Sequence, residues 1–105
     1  MTRRSRSWDE HLARNLKNHE FAREFVLALL DEGFGIQQAL ATTIRAYGIK
    51  EFAEWAGMPS SNVSRAIRPG YNPGLRLLER LLKPFGLRLA AMPSTAKKRG
   101  KGRAA

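Results

Sequence analysis

The stretch Ile49-Lys50-Glu51-Phe52-Ala53-Glu54-Trp55-Ala56-Gly57-Met58-Pro59-Ser60-Ser61-Asn62-Val63-Ser64-Arg65-Ala66-Ile67 decides the fold. Two helical patterns, at 50–56 and 60–67, are separated only by Gly57-Met58-Pro59, which is too tight for ordinary antiparallel packing. The first pattern buries Phe52, Ala53 and Ala56, and the second Val63, Ala66 and Ile67, each at helical spacing. Ala53 is small, which suits a close crossing of two helix axes, and Gly57 can take a positive φ at the turn. Phe52, Met58, Val63 and Ala66 then face a shared core. Two short helices set at a steep angle by a short turn containing Gly form a helix-turn-helix, and these residue types predict one between residues 49 and 67.

That orientation leaves Ser60, Ser61, Ser64 and Arg65 pointing away from the core. Short hydrogen-bonding side chains at the start of a helix, with one Arg a turn later, suit a helix entering the major groove of double-stranded DNA. Arg can read guanine with two hydrogen bonds, and Ser can donate or accept. Lys50 and Arg68 flank the pair of helices as further candidates for DNA contact.

Working outward, Asn18 is placed to cap a helix over 19–32, with Phe21, Ala22, Phe25, Val26, Leu29 and Leu30 at helical spacing and Gly33 as the stop. Before it, Ser7 followed by Glu10 reads as a capping box that opens a helix at Trp8, running to about Lys17 with Leu12 and Leu16 as its apolar stripe. A third helix spans 36–47, its stripe being Ile36, Leu40, Ile44 and Tyr47, and Gly48 ends it. Beyond the central pair, Arg68-Pro69-Gly70-Tyr71-Asn72-Pro73 is a loop. A last helix covers 75–83, with Leu75, Leu78, Leu81 and Leu82 on one side and Pro84 and Gly86 closing it. Leu87-Arg88-Leu89 alternates as a short strand would. The reading is all-α, with five to six helices in one domain at 8–92, a flexible basic arm at 1–7 and a disordered basic tail at 93–105.

The 105 residues carry 19 basic and 9 acidic side chains, a formal net charge of +10. Residues 1–50 hold 8 basic and 6 acidic residues and residues 51–105 hold 11 and 3, so the second half faces a polyanion. Residues 9–32 run the other way, with Asp9, Glu10, Glu20, Glu24, Asp31 and Glu32 against Arg14, Lys17 and Arg23. No cysteine is present, which excludes disulfides and thiolate metal sites and fits a reducing cytoplasm. The longest apolar run, 25–30, is far short of the roughly 20 residues of a membrane span, and the arginines at 3, 4 and 6 precede no apolar signal region. A soluble, cytoplasmic protein without a membrane contact is expected.

Taken together, these residues resemble a known family. The segment 49–67 is similar to the helix-turn-helix of the λ-repressor-like class. The span from about Asp9 to Pro93 resembles the addiction-module antidote proteins, HigA-like antitoxins that pair with toxins of the RelE/ParE superfamily. The resemblance rests on Asp9, Leu12 and Leu16 followed by Glu20-Phe21-Ala22, on Ala39-Leu40 leading into Ala46-Tyr47-Gly48, and on Ala53-x-x-x-Gly57 with Val63. Asn72-Pro73 followed by Gly86-Leu87-Arg88-Leu89 is its most specific element. It implies an antitoxin that neutralises a toxin and, as a homodimer, represses its own operon at a palindromic operator. Ser60, Ser61, Ser64 and Arg65 become the base readers and Asn62 a phosphate or sugar contact. Glu20 and Glu24, in the acidic segment, become the expected toxin contacts.

Three positions depart from the family pattern. Pro59 stands where a Ser or Thr cap is usual, which leaves Ser60 to cap the helix in competition with base reading. Ile49 replaces a polar phosphate donor, so Lys50 is the nearest substitute. Pro84 replaces a helix former and stops the last helix one turn early.

The alternative reading is a stand-alone or prophage transcriptional regulator without a toxin, and a third is a nucleoid-type protein that binds DNA by charge alone. His11 and His19, with no cysteine to complete a set, do not predict a metal site. No nucleophile set or phosphate-binding loop is legible, so neither an enzyme nor a cofactor is expected. Trp8 and Trp55 read as packing residues, Trp55 also as a candidate subunit contact. Tyr71 can either reach a phosphate or fold back on the core. Lys97, Lys98, Arg99, Lys101 and Arg103 lie in a Gly- and Ala-rich tail, where they can neutralise phosphates without reading bases.

Overall fold

Asn18, in extended backbone, accepts a hydrogen bond from the Phe21 amide at 3.0 Å and so starts the second of six helices in the computed structural model, which describes residues 6–94. The helices are α1 (Arg6–Leu16), α2 (His19–Asp31), α3 (Ile36–Tyr47), α4 (Ile49–Ala56), α5 (Ser60–Ala66) and α6 (Leu75–Leu82), followed by a 3-10 turn at Lys83–Phe85. The fold is all-α, as expected. None of the helices described is long and apolar enough to cross a membrane.

Local chemistry sets several of the ends. α2 closes with the amides of Gly33 and Phe34 donating to the carbonyls of Leu30 and Leu29, both at 3.0 Å, which satisfies two otherwise unpaired acceptors. α4 closes the same way: Gly57 takes φ +69°, and Met58 donates to the Ala53 carbonyl at 3.0 Å. Gly48 both ends α3 and begins α4, at φ +112° and ψ +122°, a conformation that side chains strongly disfavour. An added Cβ there would also run into the Glu51 side chain. That carboxylate is exposed and can swing away, so backbone strain dominates. Gly48→Ala should cost about 1–3 kcal/mol in a urea melt, and a loss below about 0.5 kcal/mol would show that the α3–α4 junction relaxes freely.

The core lies around α3. Ala39, Leu40, Ala41, Thr43, Ile44 and Tyr47 are buried, and α3 packs against α1, α2, α4 and α6. Leu16, Ala22, Val26, Phe52, Ala53, Met58, Val63, Ala66, Ile67, Leu78, Leu81, Leu82 and Phe85 pack into the same core. Thr43 meets its buried hydroxyl's need locally, donating to the Ala39 carbonyl at 2.9 Å. Lys17 ties α1 to α3, its Nζ donating to the Tyr47 carbonyl at 3.0 Å and lying 4.4 Å from the Tyr47 ring centroid. Burial, and secondarily the Glu51 carboxylate, hold the Tyr47 phenol above its ordinary value of 10.0.

Several expectations change. α1 begins at Arg6, so Ser7 lies within the helix rather than capping it, and residues 6 and 7 leave the expected arm. Arg and Ser cost little in a first turn, so the backbone runs on past the expected cap. Residues 1–5 of the arm and 95–105 of the tail lie outside the described residues. Phe21 and Leu75, placed on the buried stripes, are 38% and 72% exposed. Each lies at the edge of its stripe near a helix start, where the neighbouring helix does not reach. Residues 87–89, whose alternation left a strand open, form none: Leu87 and Leu89 rest half-buried on the helical core, and a strand would need a ladder partner. α6 stops at Leu82, one residue before the expected end, and the chain turns through Pro84 to Gly86, the residues expected to close it.

Candidate nucleic-acid interface

α5 is seven residues long and sits on its partner α4 by burying Val63 and Ala66, with Ile67 buried just beyond its end. Opposite that seat, Ser60, Ser61, Ser64 and Arg65 are exposed. They form two pairs at i,i+4, Ser60 with Ser64 and Ser61 with Arg65, and so make one contiguous outward strip. Asn62 is half-buried at its edge. The strip presents hydroxyl donors and acceptors followed by a guanidinium, the mixture that can match base edges.

Pro59 is the residue ahead of the helix, and its carbonyl accepts from the amides of Asn62 and Val63 at 3.0 and 3.2 Å. No side chain caps this end, so Ser60 is the first helical residue and does not take the capping role expected of it. Its hydroxyl stays on the outward strip.

Lys50 is exposed in the first turn of α4 and lines, with Ser60, a shallow groove of about 330 Å3. Glu51 and Glu54 line the same groove, so the field there is mixed rather than uniformly cationic. At the other end, exposed Arg68 begins a tight turn with Pro69 and Gly70 at its centre. The Tyr71 amide closes this turn by donating to the Arg68 carbonyl at 3.0 Å, with Gly70 at φ +84°. Pro followed by Gly at positive φ is the pattern of a type II turn. Tyr71 is 38% exposed beside Arg68 rather than folded into the core.

The acidic candidates lie elsewhere. Glu20 and Glu24 are exposed on α2, in line with Leu27 and Asp31 at i, i+4, i+7 and i+11, and all four are exposed. α2 packs on α1, α3 and the 3-10 turn, whereas α5 packs on α4.

Two features escaped the sequence reading. His19 stacks on Trp55 with centroids 3.9 Å apart, and Trp55 also meets Tyr47, Phe52 and Phe85, so one aromatic cluster joins α2, α3, α4 and the 3-10 turn. Side chains of α3 also hold the end of α5 and the two residues after it: Gln37 donates to the Ala66 and Arg68 carbonyls and Arg45 to that of Ile67. Neither pairing leaves a local signal, because the partners are far apart in the chain. Among the described residues, no group of three or more His, Cys, Asp or Glu is placed to hold a metal ion. No family model, curated protein or solved structure matches this chain.

Proposed function

We propose that this chain is an antitoxin of a type II toxin-antitoxin module. In this reading it occupies operator DNA as a homodimer through α5 and captures a RelE/ParE-like toxin. One observation carries the DNA part: four polar side chains capable of base contact, Ser60, Ser61, Ser64 and Arg65, share the exposed side of a short helix whose other side is buried. Exposed Lys50 and Arg68 stand at the two ends of the α4–α5 unit, where phosphates would run. A dimer would place two such helices about 34 Å apart, one turn of duplex. The toxin part rests on the resemblance of residues 9–93 to the antidote proteins, and on charge. In a chain of net charge +10, the outer side of α2 presents Glu20, Glu24 and Asp31, with exposed Glu32 just past the helix end.

Selection from a random duplex library at fixed salt tests the DNA reading. The expected product is a palindrome bound at least about 10³-fold tighter than scrambled duplex. Equal affinity for every duplex would replace the reading with binding by charge alone.

The partner surface has its own test. Changing Glu20 and Glu24 together to Lys should slow capture of the RelE/ParE-like toxin that this reading expects from the adjacent gene by about tenfold or more at low salt, while operator binding is unchanged. Stopped-flow association rates measured across a salt series decide it. Unchanged rates at low salt would move the toxin contact to another surface, and an adjacent gene encoding no such protein would favour a stand-alone regulator.

A further inference from the structure

The pose of α5 is imposed on it from outside. Seven residues make about two turns, well below the roughly 12–15 at which a helix begins to persist alone. Its start has no side-chain cap. Its end, by contrast, is clamped by α3. Gln37 Nε2 donates to the carbonyls of Ala66 at 3.1 Å and Arg68 at 3.3 Å, and Arg45 Nη2 donates to the carbonyl of Ile67 at 2.7 Å. The Ala66 and Ile67 carbonyls are among those that a helix end leaves without internal partners, whereas the Arg68 carbonyl also accepts from the Tyr71 amide, and a guanidinium there complements the partial negative charge of the terminus.

The clamp grips three successive residues, 66 to 68, so it governs both the last turn of α5 and the entry to the turn at residues 68–71. An open groove of about 400 Å3, lined by Gln37, Arg45 and Ile67 themselves together with Thr42, Pro69 and Gly70, lies between α3 and that turn. Packing therefore leaves this side of the turn unsupported, and the hydrogen bonds supply the restraint. On the other side of the clamp, α3 is the most deeply buried helix of the fold.

We infer that Gln37 and Arg45 are positioning residues of the reading surface. They set the pitch of α5 and the path of the loop, and thereby aim Arg65 at a base and Arg68 at a phosphate. This rests on the DNA reading above. Neither residue needs to touch DNA for the effect.

Hydrogen exchange and duplex discrimination, measured on full-length Q37L/R45M, test the inference together. Exchange at the Arg68 and Tyr71 amides should accelerate about tenfold or more while the α3 amides keep their protection. Preference for the selected over the scrambled duplex should fall about tenfold, with affinity for the scrambled duplex held within about threefold. R45K, which keeps a donor and a charge, should hold the preference within about threefold of wild type. If the double variant unfolds, the single variant Q37E, which removes the amide donor at nearly constant volume, supplies the same two readings. Unchanged exchange, or full preference in the double variant, overturns the clamp while leaving the DNA reading intact. A wild-type chain that prefers no duplex fails the DNA reading itself and removes the clamp's role in reading with it.

Discussion

Arg65→Ala should lower affinity for the selected operator by about 1–3 kcal/mol per half-site, and by about twice that for the proposed dimer on both half-sites. The position argues for this size. Arg65 lies one turn beyond Ser61 on the exposed side of α5, with Val63 and Ala66 buried beneath, so the helix presents its guanidinium outward instead of spending it on a contact within the fold. A bidentate contact to guanine would be lost outright on truncation, and preference at one base position should relax. Arg68 provides the contrast. It lies in the turn after α5, where a cation meets backbone, so Arg68→Ala should weaken all duplexes alike and flatten the plot of log affinity against log salt by about 0.9. The measurement is a salt titration of both variants on operator, single-position mutant operators and scrambled duplex. A uniform loss for Arg65→Ala would make Arg65 a phosphate contact and leave Ser60, Ser61 and Ser64 as the remaining readers.

Phe52→Ala should be the most damaging single truncation of the fold. Phe52 is fully buried, edge-on to Tyr47 with centroids 6.1 Å apart and to Trp55 at 5.8 Å, and stacked with Phe85 at 5.6 Å. Removing the ring exposes three other aromatic rings to a void and loosens α4 from both α3 and the 3-10 turn. The expected cost is about 3–5 kcal/mol, against a total stability of about 5–15 kcal/mol for a domain of this kind. Urea denaturation followed by tryptophan fluorescence reports it directly, since Trp55 is part of the same cluster. Phe21→Ala, at a ring 38% exposed, is the control and should cost about 1 kcal/mol or less. A loss for Phe52 no larger than for Phe21 would mean that the aromatic cluster repacks and does not hold α4 in place.

The residues whose structural meaning is local could be read without a fold. Asn18 starts α2 because its side chain reaches an amide three residues on, and Gly48 and Gly57 end helices because they accept backbone angles other residues resist. Leu40, Ile44, Val63 and Ala66 face inward because a helix returns to the same side every three to four residues. The outward placement of Ser60, Ser61, Ser64 and Arg65 follows from the same period, so the candidate reading strip was legible residue by residue.

Only the tertiary structure decided how wide each apolar stripe is and what meets it. Periodicity assigns a side of a helix to the core but not the reach of the neighbouring helix, which is why Phe21 and Leu75 emerge exposed. Leu87-Arg88-Leu89 alternates, yet alternation makes a strand only where a ladder partner exists, and the segment instead rests on the helical core. Gln37 and Arg45 read as ordinary surface polar residues of α3 until α5 is seated, when carbonyls 22 to 31 residues away come within hydrogen-bonding distance. His19 and Trp55, from helices not adjacent in the chain, stack for the same reason. Helix ends and helix faces depend on residues within a turn of one another, whose geometry the covalent chain dictates. Side-chain clamps and ring stacks depend on the positions of whole helices, which are set by the sum of their packing and by no single stretch of sequence.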